Sequence, residues 1–132
     1  MRGLALTLVL VAAPAAAAAQ QNGTAAAEPK YAEAQAARGA TAFRQNCQSC
    51  HTSKQFIGSA FEKARSDQPL FGLFDQLRTT MPQDEPGRLS AQQYVDIIVY
   101  LLKENAYSAG GEEIPANDET LKKLKFRKIL EQ

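Results

Sequence analysis

The pentapeptide Cys47-Gln48-Ser49-Cys50-His51 constrains this chain more than any other stretch of it. Two residues between the cysteines put both sulfur atoms on one side of a tight turn, and a histidine follows at once. This C-x-x-C-H spacing is the arrangement that attaches haem covalently. Each thiol can add across one haem vinyl group, and the adjacent imidazole can then give a nitrogen to the iron. We therefore predict that Cys47 and Cys50 tether a haem c and that His51 is its proximal iron ligand.

Three other uses of the same residues compete with haem attachment. A thioredoxin-like redox disulfide needs a βαβ context, which the sequence pattern does not show. A closed structural zinc site needs four ligands, whereas the chain has two cysteines and one histidine, all in this pentapeptide. A short structural disulfide remains an alternative, although it leaves His51 without a role.

The order of motifs along the chain resembles that of a class I c-type cytochrome. The haem motif comes first, Met81-Pro82 follows it, and an aromatic-containing helix comes last. The resemblance covers residues 34–114. It implies an all-α, small cytochrome c fold, in which the N- and C-terminal helices pack together and shorter helices and loops surround one covalently bound haem.

Met81 is the candidate distal iron ligand, because its position between the haem motif and the last large helix matches the axial methionine of that family. It would be the only thioether left once Met1 is removed with a signal peptide. A thioether is a soft ligand that favours reduced iron and raises the potential. The alternatives are a methionine that fills a gap in the core and an iron that is open or bound by another residue.

Two features depart from the family pattern. Many members have a proline within about a dozen residues of the haem histidine, and its carbonyl orients the imidazole. This chain has no proline between His51 and Pro69, so the carbonyl partner cannot be named from the sequence. Many members also bond a haem propionate through a tryptophan, which this chain lacks. Arg65, Arg78 or a tyrosine are the candidate replacements.

Apolar periodicity predicts three main helices, over residues 31–46, 69–80 and 90–104. The last is the clearest, because Ser90 and Gln93 form an S-x-x-Q capping box before an apolar run. Its apolar residues lie on two sides, so both sides must be covered. We expect one side to pack on the first helix and the other to face the haem. The contact residues expected between the two helices are Gly39, Phe43, Ile97 and Tyr100.

The chain divides into four predicted segments. Residues 1–19 read as a cleaved signal peptide with a basic start, an apolar run and an Ala-x-Ala site, and an uncleaved anchor is the alternative. Residues 20–30 are predicted to be a flexible lead-in, 31–115 the cytochrome domain and 116–132 a basic C-terminal extension. The basic residues of the extension either pair with acidic neighbours or dock an acidic partner.

Together these features predict a soluble, monomeric electron carrier in the periplasm that cycles one haem between Fe(III) and Fe(II) and has no catalytic residues. A formal net charge of +1 gives no case for nucleic-acid binding. Residues 79–115 look like those of cytochromes that accept electrons from periplasmic dehydrogenases and pass them to a terminal oxidase or another cytochrome. No transmembrane segment is expected after signal cleavage. The alternatives are a haem-based sensor or enzyme with an open sixth iron position, and a permanent haem subunit of a larger oxidoreductase.

Overall fold

The computed structural model describes residues 28–128. The predicted signal peptide at 1–19 and most of the predicted lead-in at 20–30 lie outside this range. Within it the chain forms isolated bridges but no β-strand, and the predicted all-α fold is confirmed. Its helices are α1 (Glu33–Asn46), a 3-10 helix (Ser53–Phe56), α2 (Ser59–Arg65), α3 (Leu70–Thr80), α4 (Ala91–Glu104) and α5 (Asp118–Lys123).

Helices α1 and α4 cross in close contact, as the sequence predicts. A Cβ atom added to Gly39 would lie 1.8 Å from the carbonyl oxygen of Asp96. The Phe43 and Tyr100 rings pack with their centroids 5.5 Å apart, and Ile97 is buried beside Phe43. The glycine is therefore the reason that the two backbones can approach this closely.

Helix α4 forms the centre of the core. Its N-terminus carries the predicted capping box: the Gln93 backbone N–H donates to Ser90 Oγ at 3.2 Å, and the Ser90 backbone N–H donates to Gln93 Oε1 at 2.9 Å. Most of the helix is buried on more than one side, which agrees with its two apolar stripes. The helix is covered by α1, α3 and the loops that follow α4.

A buried polar network fastens the loop after α4 to α1 and α4. The fully buried Gln35 side chain donates to Asp96 Oδ1 at 3.0 Å and to the Ile114 carbonyl at 2.8 Å, and it accepts from the Ile114 N–H at 2.8 Å. Arg38 bonds Asp96 Oδ2 at 3.2 Å and the Glu113 carboxylate at 2.7 and 2.8 Å. The network satisfies the buried polar groups that it contains, as buried groups require.

The C-terminal segment is packed into the domain up to Lys128. Leu121 and Phe126 are buried in the main core, and Pro69 forms an antiparallel bridge with Lys125. Most of its basic residues pair with acidic neighbours, in agreement with the first of the two interpretations of the extension. These pairs are Lys122–Asp118, Lys123–Glu119, Arg127–Asp67 and Lys128–Glu62.

The chain is also packed before α1. Pro29 is fully buried, and the Tyr31 carbonyl accepts from the Gly110 N–H at 3.1 Å. These contacts hold the described end of the predicted lead-in, residues 28–30, against the loop that follows α4. Between residues 28 and 128, none of the helices has the length and apolar character needed to cross a membrane.

Candidate haem-binding site

The haem motif forms a tight turn at the end of α1. Cys47 is the C-terminal cap of that helix, and its carbonyl accepts from the Cys50 N–H at 3.1 Å and the His51 N–H at 2.9 Å. Both cysteines are free thiols. Cys47 is half-buried, whereas Cys50 is exposed. The turn therefore presents two unpaired thiols and an imidazole within five residues.

An apolar cluster lies beside the first cysteine. It has a buried centre and a half-buried rim to which α1, the 3-10 helix, α3, α4 and the loop before α4 contribute. A large apolar ring system needs a surface of this kind, because each square ångström of apolar area removed from water contributes about 25 cal/mol. The buried centre is Ala42, Phe43 and Ile97, and the rim is Cys47, Phe56, Leu77, Leu89 and Tyr100.

The His51 imidazole lies against this cluster. Its ring centroid is 5.4 Å from that of Phe56, with an edge-to-face angle of 65°. The Phe56 ring in turn packs edge-to-face on Phe43. The Nδ1 atom of His51 lies 3.3 Å from Gln55 Oε1, and Nε2 makes no hydrogen bond to the part of the chain that the structure describes. Nε2 is thus the ring nitrogen that remains for a metal.

Met81 caps the C-terminus of α3 and is half-buried. Its backbone N–H donates to the Leu77 carbonyl at 2.8 Å, and its carbonyl accepts from the buried Tyr94 hydroxyl at 2.7 Å. Its peptide bond to Pro82 is cis. Because Leu77 and Leu89 both belong to the rim, the Met81 loop is bounded on each side by residues of the same apolar cluster.

Arg88 connects the Met81 loop to the haem motif. Its Nη2 atom donates to Asn46 Oδ1, next to Cys47, at 3.4 Å. Burial raises the pKa of the Cys47 thiol above its usual value, and the Arg88 charge opposes that shift. The loop and the motif are therefore neighbours in space, although they are separated in sequence by α2 and α3.

The two arginines proposed as propionate partners differ in position. Arg78 lines a cavity of about 210 Å³ between the Met81 loop and α4, together with Gly87, Leu89, Ala91 and Tyr94. Arg65 is not among these lining residues and instead donates to Gln76 Oε1 at 2.8 Å. Of the two, Arg78 is the one that the structure places beside the apolar cluster.

Sequence reasoning missed two site residues. Gln55 stands four residues after His51 and forms a capping box with Thr52, a T-x-x-Q pattern that is visible in the sequence. The hydrogen bond from Tyr94 to the Met81 carbonyl had no local signal, because the two residues are 13 apart and belong to different elements.

The donor set fits a c-type haem: two free thiols, an imidazole with a free Nε2, a thioether in an adjacent loop and a partly exposed apolar surface. Between residues 28 and 128, no three His, Cys, Asp or Glu side chains are grouped so that they could hold a metal ion by themselves.

Comparison with known proteins agrees with this interpretation. The family model described as "Cytochrome C oxidase, cbb3-type, subunit III" matches residues 34–101, just over half of the chain. The matched segment begins in α1, includes the haem motif and Met81, and ends in α4. No curated protein and no solved structure gives a significant match. The extent of the family match and the order of its motifs show that the chain belongs to this family and is a class I c-type cytochrome.

Proposed function

We propose that this protein is an exported electron carrier with one haem c, attached through Cys47 and Cys50 and ligated at its iron by His51 and Met81. Membership of the family supports two general features, a covalently bound c-type haem and a role in electron transfer. The observation that supports the ligand set is the position of the haem motif and the Met81 loop around one apolar cluster.

The bound haem supplies one-electron chemistry between Fe(III) and Fe(II). The Cys47 and Cys50 thiols would anchor the ring, and His51 Nε2 and the Met81 thioether would hold the iron. The apolar cluster excludes water from the iron and so favours the form with less net charge. With the iron held by two protein side chains, no position would remain for a substrate, and the protein would act as a carrier of electrons instead of an enzyme.

The proposed location is the periplasm, supported by the signal-peptide pattern of residues 1–19. The proposed donor is a periplasmic dehydrogenase, and the proposed acceptor is a terminal oxidase or another cytochrome. Transient redox partners bind through small interfaces, which suits a monomeric carrier. The description of the matching family as an oxidase subunit favours one alternative, a permanent haem subunit of a larger oxidoreductase. A stable partner that copurifies with the protein would distinguish that alternative from a free carrier.

An optical spectrum of the purified protein tests whether protein side chains occupy both coordination positions of the haem iron. It is recorded in the oxidised and reduced forms, with and without carbon monoxide. We expect a low-spin spectrum with the Fe–S(Met) charge-transfer band and no response to carbon monoxide. A high-spin spectrum or ready binding of carbon monoxide would overturn the carrier assignment in favour of a sensor or an enzyme with an accessible iron.

A double variant tests the attachment. Cys47→Ser combined with Cys50→Ser removes both thiols, and we expect the haem to separate from the polypeptide on denaturation. Ser49→Ala is the matched control, because it changes an exposed residue of the same turn and leaves both thiols in place. Retention of haem by the denatured double variant would refute attachment at these cysteines.

A further inference from the structure

We propose that the Gln55 side-chain amide orients the iron-binding imidazole of His51, in the place of the proline carbonyl that many family members use. Gln55 is a positioning residue: it acts on the iron through His51. The inference rests on the proposed function, since it assumes that His51 binds the iron.

The side-chain oxygen of Gln55 contacts both His51 and the backbone of Thr52. Gln55 Oε1 lies 3.3 Å from His51 Nδ1, and the two residues are separated by the start of the 3-10 helix. The same oxygen also accepts from the Thr52 backbone N–H at 3.1 Å. The Gln55 backbone N–H in turn donates to the Thr52 carbonyl at 3.1 Å, so hydrogen bonds run in both directions between the two residues of this capping-box turn.

This capping box determines which atom of the amide faces the histidine. The Thr52 backbone N–H can only donate, so the Gln55 atom that meets it must be the oxygen. The same oxygen faces His51 Nδ1 and can only accept, so Nδ1 must carry the proton. A neutral imidazole with its proton on Nδ1 has its lone pair on Nε2. Gln55 therefore selects the tautomer in which Nε2 is ready to bind iron.

Phe56 supplies the second restraint on the ring. Its edge-to-face contact with His51 limits rotation of the imidazole plane, and Phe56 is itself held through the Asn105 side chain, which donates to its carbonyl at 2.8 Å. The hydrogen bond fixes one nitrogen and the aromatic contact fixes the plane. Together they orient Nε2 without a proline in this part of the chain.

An acceptor at Nδ1 has an electronic consequence. It makes the imidazole a stronger donor to the metal, as such outer hydrogen bonds do, and a stronger donor favours Fe(III) over Fe(II). The reduction potential should therefore rise when the acceptor is removed in Gln55→Leu. It should fall when a carboxylate replaces the amide in Gln55→Glu, because charged acceptors form stronger hydrogen bonds.

The test uses the intact haem-loaded protein and two measurements. The first is the reduction potential of wild type, Gln55→Leu and Gln55→Glu. The second is the solvent-exchange rate of the His51 Nδ1–H in the reduced, diamagnetic protein, followed by NMR. Loss of one hydrogen bond of ordinary strength should speed this exchange by about twofold to tenfold in Gln55→Leu. Thr52→Ala is the control, since it removes the Thr52 hydroxyl from the same turn but keeps the Thr52 backbone N–H that holds the Gln55 amide opposite His51.

The expected result is a potential that rises in Gln55→Leu and falls in Gln55→Glu, with faster exchange in Gln55→Leu and little change of either quantity in Thr52→Ala. Unchanged potential and exchange in Gln55→Leu would overturn the inference. Equal changes in Gln55→Leu and Thr52→Ala would also overturn it, because they would trace the effect to the 3-10 helix alone. The NMR spectrum of the wild-type protein shows separately whether His51 binds the iron. If it does not, the proposed function is overturned as well.

Discussion

Tyr94 performs two tasks from one position in the first turn of α4. With Leu89 it occupies the two apolar positions that flank the Ser90 capping box. Its side chain is only 2% exposed, yet its hydroxyl reaches across to the Met81 carbonyl at 2.7 Å. One buried hydroxyl thus fixes the backbone of the proposed distal ligand to the most buried helix of the domain.

Tyr94→Phe should therefore loosen the Met81 loop without emptying the core. We expect a loss of about 1 kcal/mol in the free energy of unfolding, since the Met81 carbonyl loses its hydrogen bond from Tyr94 and keeps only the longer one from the Gly87 N–H at 3.4 Å. We also expect tighter cyanide binding to the oxidised iron. Titration with cyanide and denaturant unfolding measure the two effects. Tyr100→Phe is the control, because the Tyr100 ring packs on Phe43 and its hydroxyl has no hydrogen bond among the described residues. Equal cyanide affinity in both variants and the wild type would contradict the positioning role.

Met81→Ala removes the only thioether between residues 28 and 128. The reduction potential should fall, because a soft ligand that stabilises Fe(II) is lost, and the reduced iron should bind carbon monoxide. Potentiometry and a carbon monoxide titration measure these changes. If the spectrum and the potential both stay as in the wild type, the sixth ligand is another residue.

Among the helices, the crossing of α1 and α4 depends most on a single residue. Gly39→Ala would place a methyl group where the Asp96 carbonyl already lies. Overpacking of this kind costs about 1–3 kcal/mol, and here a backbone must move, so we expect a net loss of about 2 kcal/mol. Equilibrium unfolding in urea measures the loss.

Gly72 in α3 provides a matched control for that substitution. It is also a helical glycine, but a Cβ added there meets nothing within 4 Å. Gly72→Ala should stabilise the protein by up to about 1 kcal/mol through helix propensity. Changes of opposite sign in the free energy of unfolding for the two glycine variants would establish close packing as the cause. A stabilised Gly39→Ala variant would contradict the observed crossing.

The bounds of the elements show where local patterns suffice. The sequence pattern predicts the start of α4 to within one residue, because the Ser90–Gln93 capping box is a local interaction. For α1 the sequence pattern predicts a start at residue 31, whereas the helix begins at Glu33. The reason is tertiary: the Tyr31 backbone is paired with the loop after α4, through its bridge to Ala109 and the bond to Gly110.

For the molecule as a whole, the C-terminal segment shares one hydrophobic core with α3 and the loop after α4. The Phe126 ring packs edge-to-face on Phe61 and Tyr107, with centroids 6.0 and 6.4 Å apart. Phe126→Ala should lower the free energy of unfolding by about 3 kcal/mol or more. Lys123→Ala, on the exposed side of α5, should stay within about 0.5 kcal/mol of wild type. Thermal unfolding of the two variants distinguishes a segment that belongs to the core from a detached extension. In a detached extension, both substitutions would change the stability only slightly.

The ion pair between Arg38 and Glu113 gives the whole domain a pH dependence. The hydrogen bond from Arg38 lowers the pKa of the Glu113 carboxyl from its ordinary value of 4.5. A lowered pKa in the folded state adds stability that is present above that ordinary value and is lost as pH falls through the folded-state pKa. The effect is modest, because both side chains are about half exposed.

Glu113→Gln should consequently flatten the acid limb of the stability profile. The free energy of unfolding is measured in urea at several pH values below neutrality. Glu112→Gln is the control, because that neighbouring carboxylate makes no hydrogen bond within the described residues. An acid limb as steep in Glu113→Gln as in the wild type would contradict the assignment.

The amino-acid sequence alone predicts covalent haem attachment and the main helices. The C-x-x-C-H spacing, the capping box and the Gly39–Phe43 pair are local or periodic features, so they can be recognised in the sequence before the fold is known. Tertiary structure decided the rest. Only packing could place the Met81 loop beside Cys47 and bring Tyr94 to the Met81 carbonyl. Only packing, too, could bury Phe126 in a segment that the sequence predicts to be a basic extension, because such contacts depend on which distant elements share a core.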